Sequence, residues 1–169
     1  IGNGYALTAV VGKKSIMEAA QTSFISSTFW TERIGSTAAL ATLKVMEREE
    51  SWKKITETGI KMQKGWLKLA KQNNLDITVS GIAAMTTYSF NYNNALSYKT
   101  LITQEMLKKG FLASTNFYAC TEHSDEHLDL YFNALSDIYK TISKCESDEV
   151  NIDTLLEGPI SHSGFKRLN

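Results

Sequence analysis

The sequence predicts an α/β protein, because short strand-like runs alternate with longer stretches of helical periodicity. Residues 6–11 carry small and β-branched side chains without a charge, between Gly4 and Gly12, a pattern typical of a short buried strand. Residues 51–73 place apolar side chains on one face and lysines on the other, as an amphipathic helix does. Strand-like alternation returns at residues 85–92. Together these observations favour a mixed fold with long helices.

The other elements follow from the same two periodicities. We predict helices over residues 15–21 and 36–47, the second rich in alanine, and over residues 97–109, where Gly110 ends the helix. Pro159 is the only proline, so the helices before it are uninterrupted. The remaining predicted strands are residues 77–79, 111–114 and 117–120.

The last helix has the clearest start signal. Ser124 is a favoured N-cap residue, and Asp125 and Glu126 place carboxylates in the first turn, near the positive end of the helix dipole. An apolar stripe predicts that this helix packs on the preceding strands, and its members are Leu128, Tyr131, Phe132, Leu135, Ile138 and Ile142.

Composition and charge limit the classes of partner that the chain can have. The chain has 18 basic and 18 acidic side chains, so its formal charge is zero, and nothing points to nucleic acid. No apolar run approaches the roughly 20 residues that span a bilayer, and the first residues do not resemble a secretion leader. We therefore expect a cytoplasmic protein without a membrane segment. Cys120 and Cys145 lack metal-binding spacing, which favours buried or free thiols over a disulfide or a metal site.

Two small-residue segments in the first thirty residues are candidates for binding an anion. Gly2 and Gly4 accept positive φ and let the backbone approach a ligand closely, although a lone Gly-x-Gly also fits a simple turn. Ser27 and Thr28 offer hydroxyls and backbone N–H groups ahead of an alanine-rich helix, a donor set suited to phosphate. The same serine-threonine segment also fits a polar turn with local hydrogen bonds.

The order of these motifs resembles the class III (fold type I) pyridoxal-phosphate aminotransferases. Residues 2–9 stand where that family has a Gly-Gly-Gly-x-Pro-x-Gly-Ala loop, and residues 12–17 where it has Gly-Arg-x-x-Ile-Met. Residues 28–41 keep the Thr-Phe start and the alanine helix of Thr-Phe-x-Gly-Asn-Pro-Leu-Ala. His123-Ser124-Asp125-Glu126 is similar to the His-Thr-Asp-Glu that opens the last helix in the glutamate-1-semialdehyde aminomutase branch.

The resemblance implies a domain organisation. The chain is expected to hold the end of the large cofactor-binding domain and then a small α+β C-terminal domain. The expected divisions are residues 1–50 for the large domain, 51–74 for a long connecting helix, 75–146 for the small domain and 147–169 for a tail.

The resemblance also implies an activity and a cofactor. An amino group is transferred to a ketone or aldehyde with pyridoxal 5′-phosphate, in a homodimer whose active sites are shared. Thr28 is expected to reach the phosphate of the neighbouring subunit's cofactor, with Ser27, Gly2 and Gly4 beside it. The lysine that holds the cofactor is expected immediately before Ile1, so the chain alone should lack transaminase chemistry.

The residues expected at the substrate are Asn3 and Tyr5, together with positions where the sequence departs from the family. Glu32 and Arg33 replace Asn-Pro, and they suit either a substrate contact or a surface or interface salt bridge. Tyr118 stands where the aminomutase carries a glutamate, which weakens the case for glutamate-1-semialdehyde as substrate and leaves other carbonyl compounds open.

Two alternative functions remain at the level of sequence. His123-Ser124-Asp125-Glu126-His127 satisfies the H-x-x-E-H pattern of a zinc metallopeptidase, although His123 precedes the helix cap and no third ligand is evident. The second alternative is a non-catalytic aminotransferase homologue that acts by interaction.

Overall fold

The computed structural model describes residues 1–25, 28–29, 31–162 and 164. The chain forms two compact units, Ile1–Ser51 and Trp52–Asn169. The finer sequence-based division at residues 50, 74 and 146 stays a prediction. The described elements of the first unit are helix α1 (Lys14–Met17), a 3₁₀ turn (Glu18–Thr22) and helix α2 (Ile34–Glu49).

The second unit packs three helices and a small sheet. The sheet is antiparallel in the order β1-β2-β3, with Val79 opposite Tyr88 and Thr86 opposite Phe117. The elements are α3 (Ser51–Gln72), β1 (Ile77–Ile82), β2 (Met85–Phe90), α4 (Ala95–Lys108), β3 (Asn116–Tyr118), α5 (Asp125–Glu146) and a 3₁₀ turn (Ile152–Thr154).

Aromatic side chains form the centre of the second unit's core. Trp66 is fully buried, and its ring lies 4.7 Å from that of Tyr88 on β2. The Trp66 Nε1–H donates to the Tyr131 hydroxyl at 3.0 Å, which satisfies the polar group of a buried indole. Phe90 packs edge-on against Tyr98 of α4 at 5.5 Å. These contacts tie the sheet to helices α3, α4 and α5.

Two glycines bring α3 close to its neighbours. A Cβ at Gly59 would lie 1.7 Å from the carbonyl oxygen of Ala83 in the β1–β2 turn. A Cβ at Gly65 would lie 2.1 Å from the ring of Phe132 on α5. Glycine lowers helix propensity, so its presence twice inside a 22-residue helix is explained by close packing rather than by helix formation.

The start of α5 is confirmed as predicted. The Ser124 Oγ accepts the backbone N–H of His127 at 3.2 Å, and the Ser124 N–H donates to the His127 Nδ1 at 3.3 Å. Together these two bonds form a capping box. Asp125 pairs with Lys61 of α3 at 2.5 Å.

The segment after α5 packs along α4. Ile152 is buried, and the Gln104 side chain donates to the Leu155 carbonyl at 2.9 Å while accepting the Glu157 N–H at 2.8 Å. The Ser161 N–H donates to the Thr100 hydroxyl at 2.9 Å. The part of the tail that the structure describes is therefore joined to α4 by direct hydrogen bonds.

Two predicted strands are wrong. Residues 6–11 form no strand, and Val10 and Val11 are 82% and 89% exposed. Residues 111–114 form none either, and Leu112 is 97% exposed. A strand needs a neighbour for its backbone hydrogen bonds, and among the described residues neither segment has one.

The other expectations hold with shifted bounds. The helix expected over 15–21 is divided into α1 and a 3₁₀ turn, and β3 begins at Asn116 and ends before Cys120. Both cysteines are free thiols, Cys120 exposed and Cys145 buried. None of the helices in the described ranges is long and apolar enough to cross a membrane.

Candidate functional site

The glycine segment at the start of the first unit is a tight turn. The Tyr5 N–H donates to the Gly2 carbonyl at 3.3 Å, and Asn3 and Gly4 have φ of 47° and 104°. Positive φ at both central residues is the geometry for which Asn-Gly is favoured. A Cβ at Gly2 would lie 2.4 Å from the Tyr5 carbonyl oxygen, so Gly2 is required to close the turn. Asn3 and Tyr5 are presented to solvent.

The corner before α2 combines a turn with a helix cap. Thr28 is exposed in the turn, and Ser27 lies outside the described residues. The Glu32 N–H donates to the Phe29 carbonyl at 3.2 Å. The Glu32 carboxylate accepts the N–H of Ile34 at 2.5 Å through Oε1 and that of Gly35 at 2.9 Å through Oε2. Glu32 therefore caps α2, and a negative charge there also suits the helix dipole.

This cap gives the Glu32 carboxylate partners within the chain itself. None of the ion pairs found among the described residues includes Glu32 or Arg33, and a substrate contact or an interface salt bridge at this pair stays a prediction. The carboxylate satisfies two backbone N–H groups that have no partner within the helix. Arg33 is the exposed N-cap residue, and its carbonyl accepts the Thr37 N–H at 3.0 Å.

The start of α2 borders a groove within the first unit. Its volume is about 670 Å³. A Cβ at Gly35 would lie 2.7 Å from the Ala6 carbonyl oxygen, so the chain that follows the Asn-Gly turn crosses the first turn of α2. The lining residues are Ala6, Leu7, Thr8, Val10, Met17, Ile25, Phe29, Glu32, Gly35 and Ser36. The chain that follows the glycine turn and the residues that begin α2 therefore meet at one groove.

Tyr118 belongs to the second unit. It ends β3 opposite Met85, and its side chain is 63% exposed. A groove of about 260 Å³ lies beside it, with mainly apolar walls and His123 at one side. This groove is lined by residues of the second unit, whereas the groove at α2 is lined by residues of the first.

The two histidines of the H-x-x-E-H pattern form hydrogen bonds with backbone groups. The His123 Nδ1 accepts the Cys120 N–H at 3.1 Å, and its ring lies 4.8 Å from that of Phe117. His127 is the N3 residue of the capping box, the third residue of helix α5. Within the described part of the chain, no cluster of three or more His, Cys, Asp or Glu side chains has the arrangement of a metal site. The geometry gives the zinc alternative no support.

His123 makes stability depend on pH. Partial burial and then the nearby His127 lower the pKa of His123 below its ordinary value of about 6.5. At His123 the unfolded chain therefore binds a proton more readily than the folded chain. The stability that comes from keeping His123 neutral is fully present above about pH 6.5, and it is lost as pH falls through the pKa of the folded state. We expect the urea midpoint to fall less between pH 7 and pH 5 in His123→Asn, which keeps an acceptor but does not titrate. Equal falls in both proteins would contradict this.

Comparison with known proteins supplies the family. The family model described as aminotransferase class-III matches residues 1–138. The chain belongs to the class-III aminotransferases. The resemblance noted from the motifs is thereby confirmed, and the match extends through most of α5.

Several class-III relatives are similar in sequence. The 3-aminobutyryl-CoA aminotransferase of Cloacimonas acidaminovorans (strain Evry) is 27% identical over 150 residues, covering 85% of this chain. The 2′-deamino-2′-hydroxyneamine transaminase of Streptomyces kanamyceticus is 26% identical over 144 residues, covering 82%. The glutamate-1-semialdehyde 2,1-aminomutase of Methanosphaera stadtmanae is 27% identical over 152 residues, covering 80%. The chain spans 36% of the length of each.

A solved structure shares the fold. The FumI protein of Sphingopyxis sp. MTA144, in its PLP internal aldimine form, matches with a TM-score of 0.70 and 18% identity. The match covers 92% of this chain and 38% of that protein. The predicted fold class is confirmed: the chain has an α/β fold that matches part of this fold type I structure.

Two features of the site were missed from the sequence. Glu32 was considered for substrate or a salt bridge, although an acidic residue just ahead of an alanine-rich helix is itself a capping signal. Asn3-Gly4 is a strong tight-turn dipeptide, and it is a more specific turn signal than the Gly-x-Gly spacing. Both signals are local, and both were available in the sequence.

Proposed function

We propose that the chain is part of a pyridoxal-phosphate-dependent aminotransferase or aminomutase that transfers an amino group to a ketone or aldehyde. The observation that supports this most strongly is the class-III family match over residues 1–138. The relatives are named for a CoA thioester, an aminoglycoside and an amino aldehyde. The proposal therefore specifies the class of acceptor, a ketone or an aldehyde, and does not specify an individual substrate.

We assign the cofactor phosphate to the turn that carries Thr28. Thr28 is exposed in a turn and offers a hydroxyl donor, and we assign Ser27 beside it from the family motif. The Gly2–Tyr5 turn presents Asn3 and Tyr5 to solvent, and we assign these side chains, with Tyr118, to the substrate. Pyridoxal phosphate, when bound, supplies an electron sink for the substrate carbon. The chain's own contribution is to hold the phosphate and orient the substrate.

The proposal includes a homodimer in which Thr28 serves the partner's cofactor. Helix α2 supports it, because a helix that is apolar on several faces is normally buried. Only Gly35 and Ala39 of α2 are buried, while its large apolar side chains remain accessible: Ile34, Leu40, Leu43 and Val45 are 60%, 62%, 47% and 40% exposed. We also propose a cytoplasmic location, for which the two free thiols are suited.

Removal of the Thr28 hydroxyl tests this function. In the protein reconstituted with pyridoxal phosphate, Thr28→Ala should weaken cofactor binding by about tenfold or more, because a hydrogen bond to a charged group contributes about 1.5–3 kcal/mol. Absorbance titration measures the affinity, and light scattering on the same preparation should give the mass of a dimer.

Two controls sharpen the result. Thr28→Ser keeps the hydroxyl and should bind nearly as tightly as wild type. Pyridoxal, which lacks the phosphate, should bind both variants equally. An enzyme of this kind should show a visible absorption band that borohydride removes. If wild type shows no such band, the enzyme proposal is contradicted and the non-catalytic homologue is favoured.

A further inference from the structure

Glu32 bonds to both sides of the corner that carries Thr28. Its backbone N–H closes the turn on the Phe29 carbonyl at 3.2 Å. Its carboxylate holds the first two N–H groups of α2, those of Ile34 and Gly35, at 2.5 and 2.9 Å. Glu32 therefore joins the turn to the helix, and Thr28 lies at the start of that turn.

The helix start also packs against an earlier segment of the chain. Gly35 is buried and lies so close to the Ala6 carbonyl that a Cβ would approach it to 2.7 Å. Within the first turn of α2, Gly35 thus packs against the chain at Ala6, while Ile34 beside it is 60% exposed. The turn that ends at Glu32 is thereby bonded to a helix start that packs on another segment of the chain.

The cap also removes donors from the corner. A helix N-terminus binds anions through N–H groups that lack intrahelical partners, and the Ile34 and Gly35 N–H groups already donate to Glu32. A phosphate at this corner therefore depends on Thr28 and its turn rather than on those two amides.

We propose that Glu32 is a positioning residue for the cofactor phosphate and that it acts through Thr28. The proposal rests on the proposed function, because it assumes that Thr28 meets this phosphate. Glu32 itself does not contact the cofactor. Its carboxylate sets the place from which the Thr28 hydroxyl donates.

A double-mutant cycle in the protein with its cofactor tests this role. Glu32→Ala should weaken binding of pyridoxal phosphate by about tenfold, a loss similar to that of Thr28→Ala, and should leave binding of pyridoxal unchanged. Glu32→Gln keeps one carbonyl acceptor and should give a smaller loss. Adding Thr28→Ala to Glu32→Ala should cost little more, because residues that act as one unit are not additive.

A matched charge control is Glu47→Ala, which removes the same charge from the exposed last part of α2 and should leave both affinities unchanged. A merely structural cap would lower the melting temperature of Glu32→Ala while the ratio of the two affinities stayed the same, and that result overturns the proposal. Strict additivity in the double variant overturns it too.

Failure of the proposed function gives a different result. If Thr28→Ala weakens phosphate-dependent binding while Glu32→Ala and Glu32→Gln do not, only the positioning role is lost. If wild type binds pyridoxal phosphate no better than pyridoxal, the phosphate site is absent and both proposals fall. If Glu32→Ala does not fold, Glu32→Gln decides the test. The proposal then requires that Glu32→Gln lowers the affinity for pyridoxal phosphate relative to that for pyridoxal.

Discussion

Replacing Trp66 by alanine should lower the free energy of unfolding of the second unit by about 3–5 kcal/mol, the usual cost of deleting a large buried aromatic side chain. Trp66 is fully buried, packs on Tyr88 at 4.7 Å and donates to the Tyr131 hydroxyl. The substitution removes the ring and leaves a buried hydroxyl without its donor. The free energy of unfolding of a small domain is about 5–15 kcal/mol in total, so the variant should lose a large fraction of its stability.

Near-UV circular dichroism during urea unfolding measures this effect, because the aromatic cluster lies in the second unit. Trp52→Ala is the matched control: Trp52 is on the same helix and 43% exposed, so its loss should be much smaller. Trp66→Phe keeps most of the ring but not the N–H and should fall between them. Equal midpoints for the Trp52 and Trp66 alanine variants would refute the core assignment.

Replacing Gly59 by alanine should destabilise the second unit by about 1–3 kcal/mol, as overpacking does. An ordinary Gly→Ala change inside a helix stabilises by about 1 kcal/mol, so the expected sign is reversed. The cause is the Ala83 carbonyl, which a Cβ would approach to 1.7 Å. Because this obstacle is backbone, α3 or the β1–β2 turn has to move.

Gly65→Ala separates backbone from side-chain obstruction. The atom it meets belongs to the Phe132 ring, which rotates at less cost than a main chain shifts. We therefore expect a smaller loss than at Gly59, measured by the same urea titration. A Gly59→Ala protein that is as stable as wild type or more so would mean that the β1–β2 turn does not lie against α3 as described.

Helices were the most predictable part of the fold. The spacing of apolar residues placed α3 at 51–73 against an observed Ser51–Gln72, and the Ser124 cap placed the start of α5 correctly. Strands were less predictable, since residues 6–11 have strand composition and form none. Helical hydrogen bonds are made within one segment, whereas a strand depends on a partner that its own residues do not specify.

The candidate site divides in the same way. Motif order predicted the family and singled out Thr28, the Gly2–Gly4 loop and Tyr118, whose roles remain proposals. It did not predict that Glu32 caps α2, because the same carboxylate suits a substrate, a salt bridge or a helix start. Only the three-dimensional position of the Ile34 and Gly35 N–H groups selects among these.

By itself the sequence determined the family, the helical periodicities and the start of α5, because each depends on residue types at fixed local spacing. Tertiary structure decided which glycines are packing sites and which strand-like runs pair. Gly59 and Gly65 look alike in α3, yet one meets a main-chain carbonyl and the other a ring. Such differences arise from chain segments that are distant in sequence, and close packing brings them into contact.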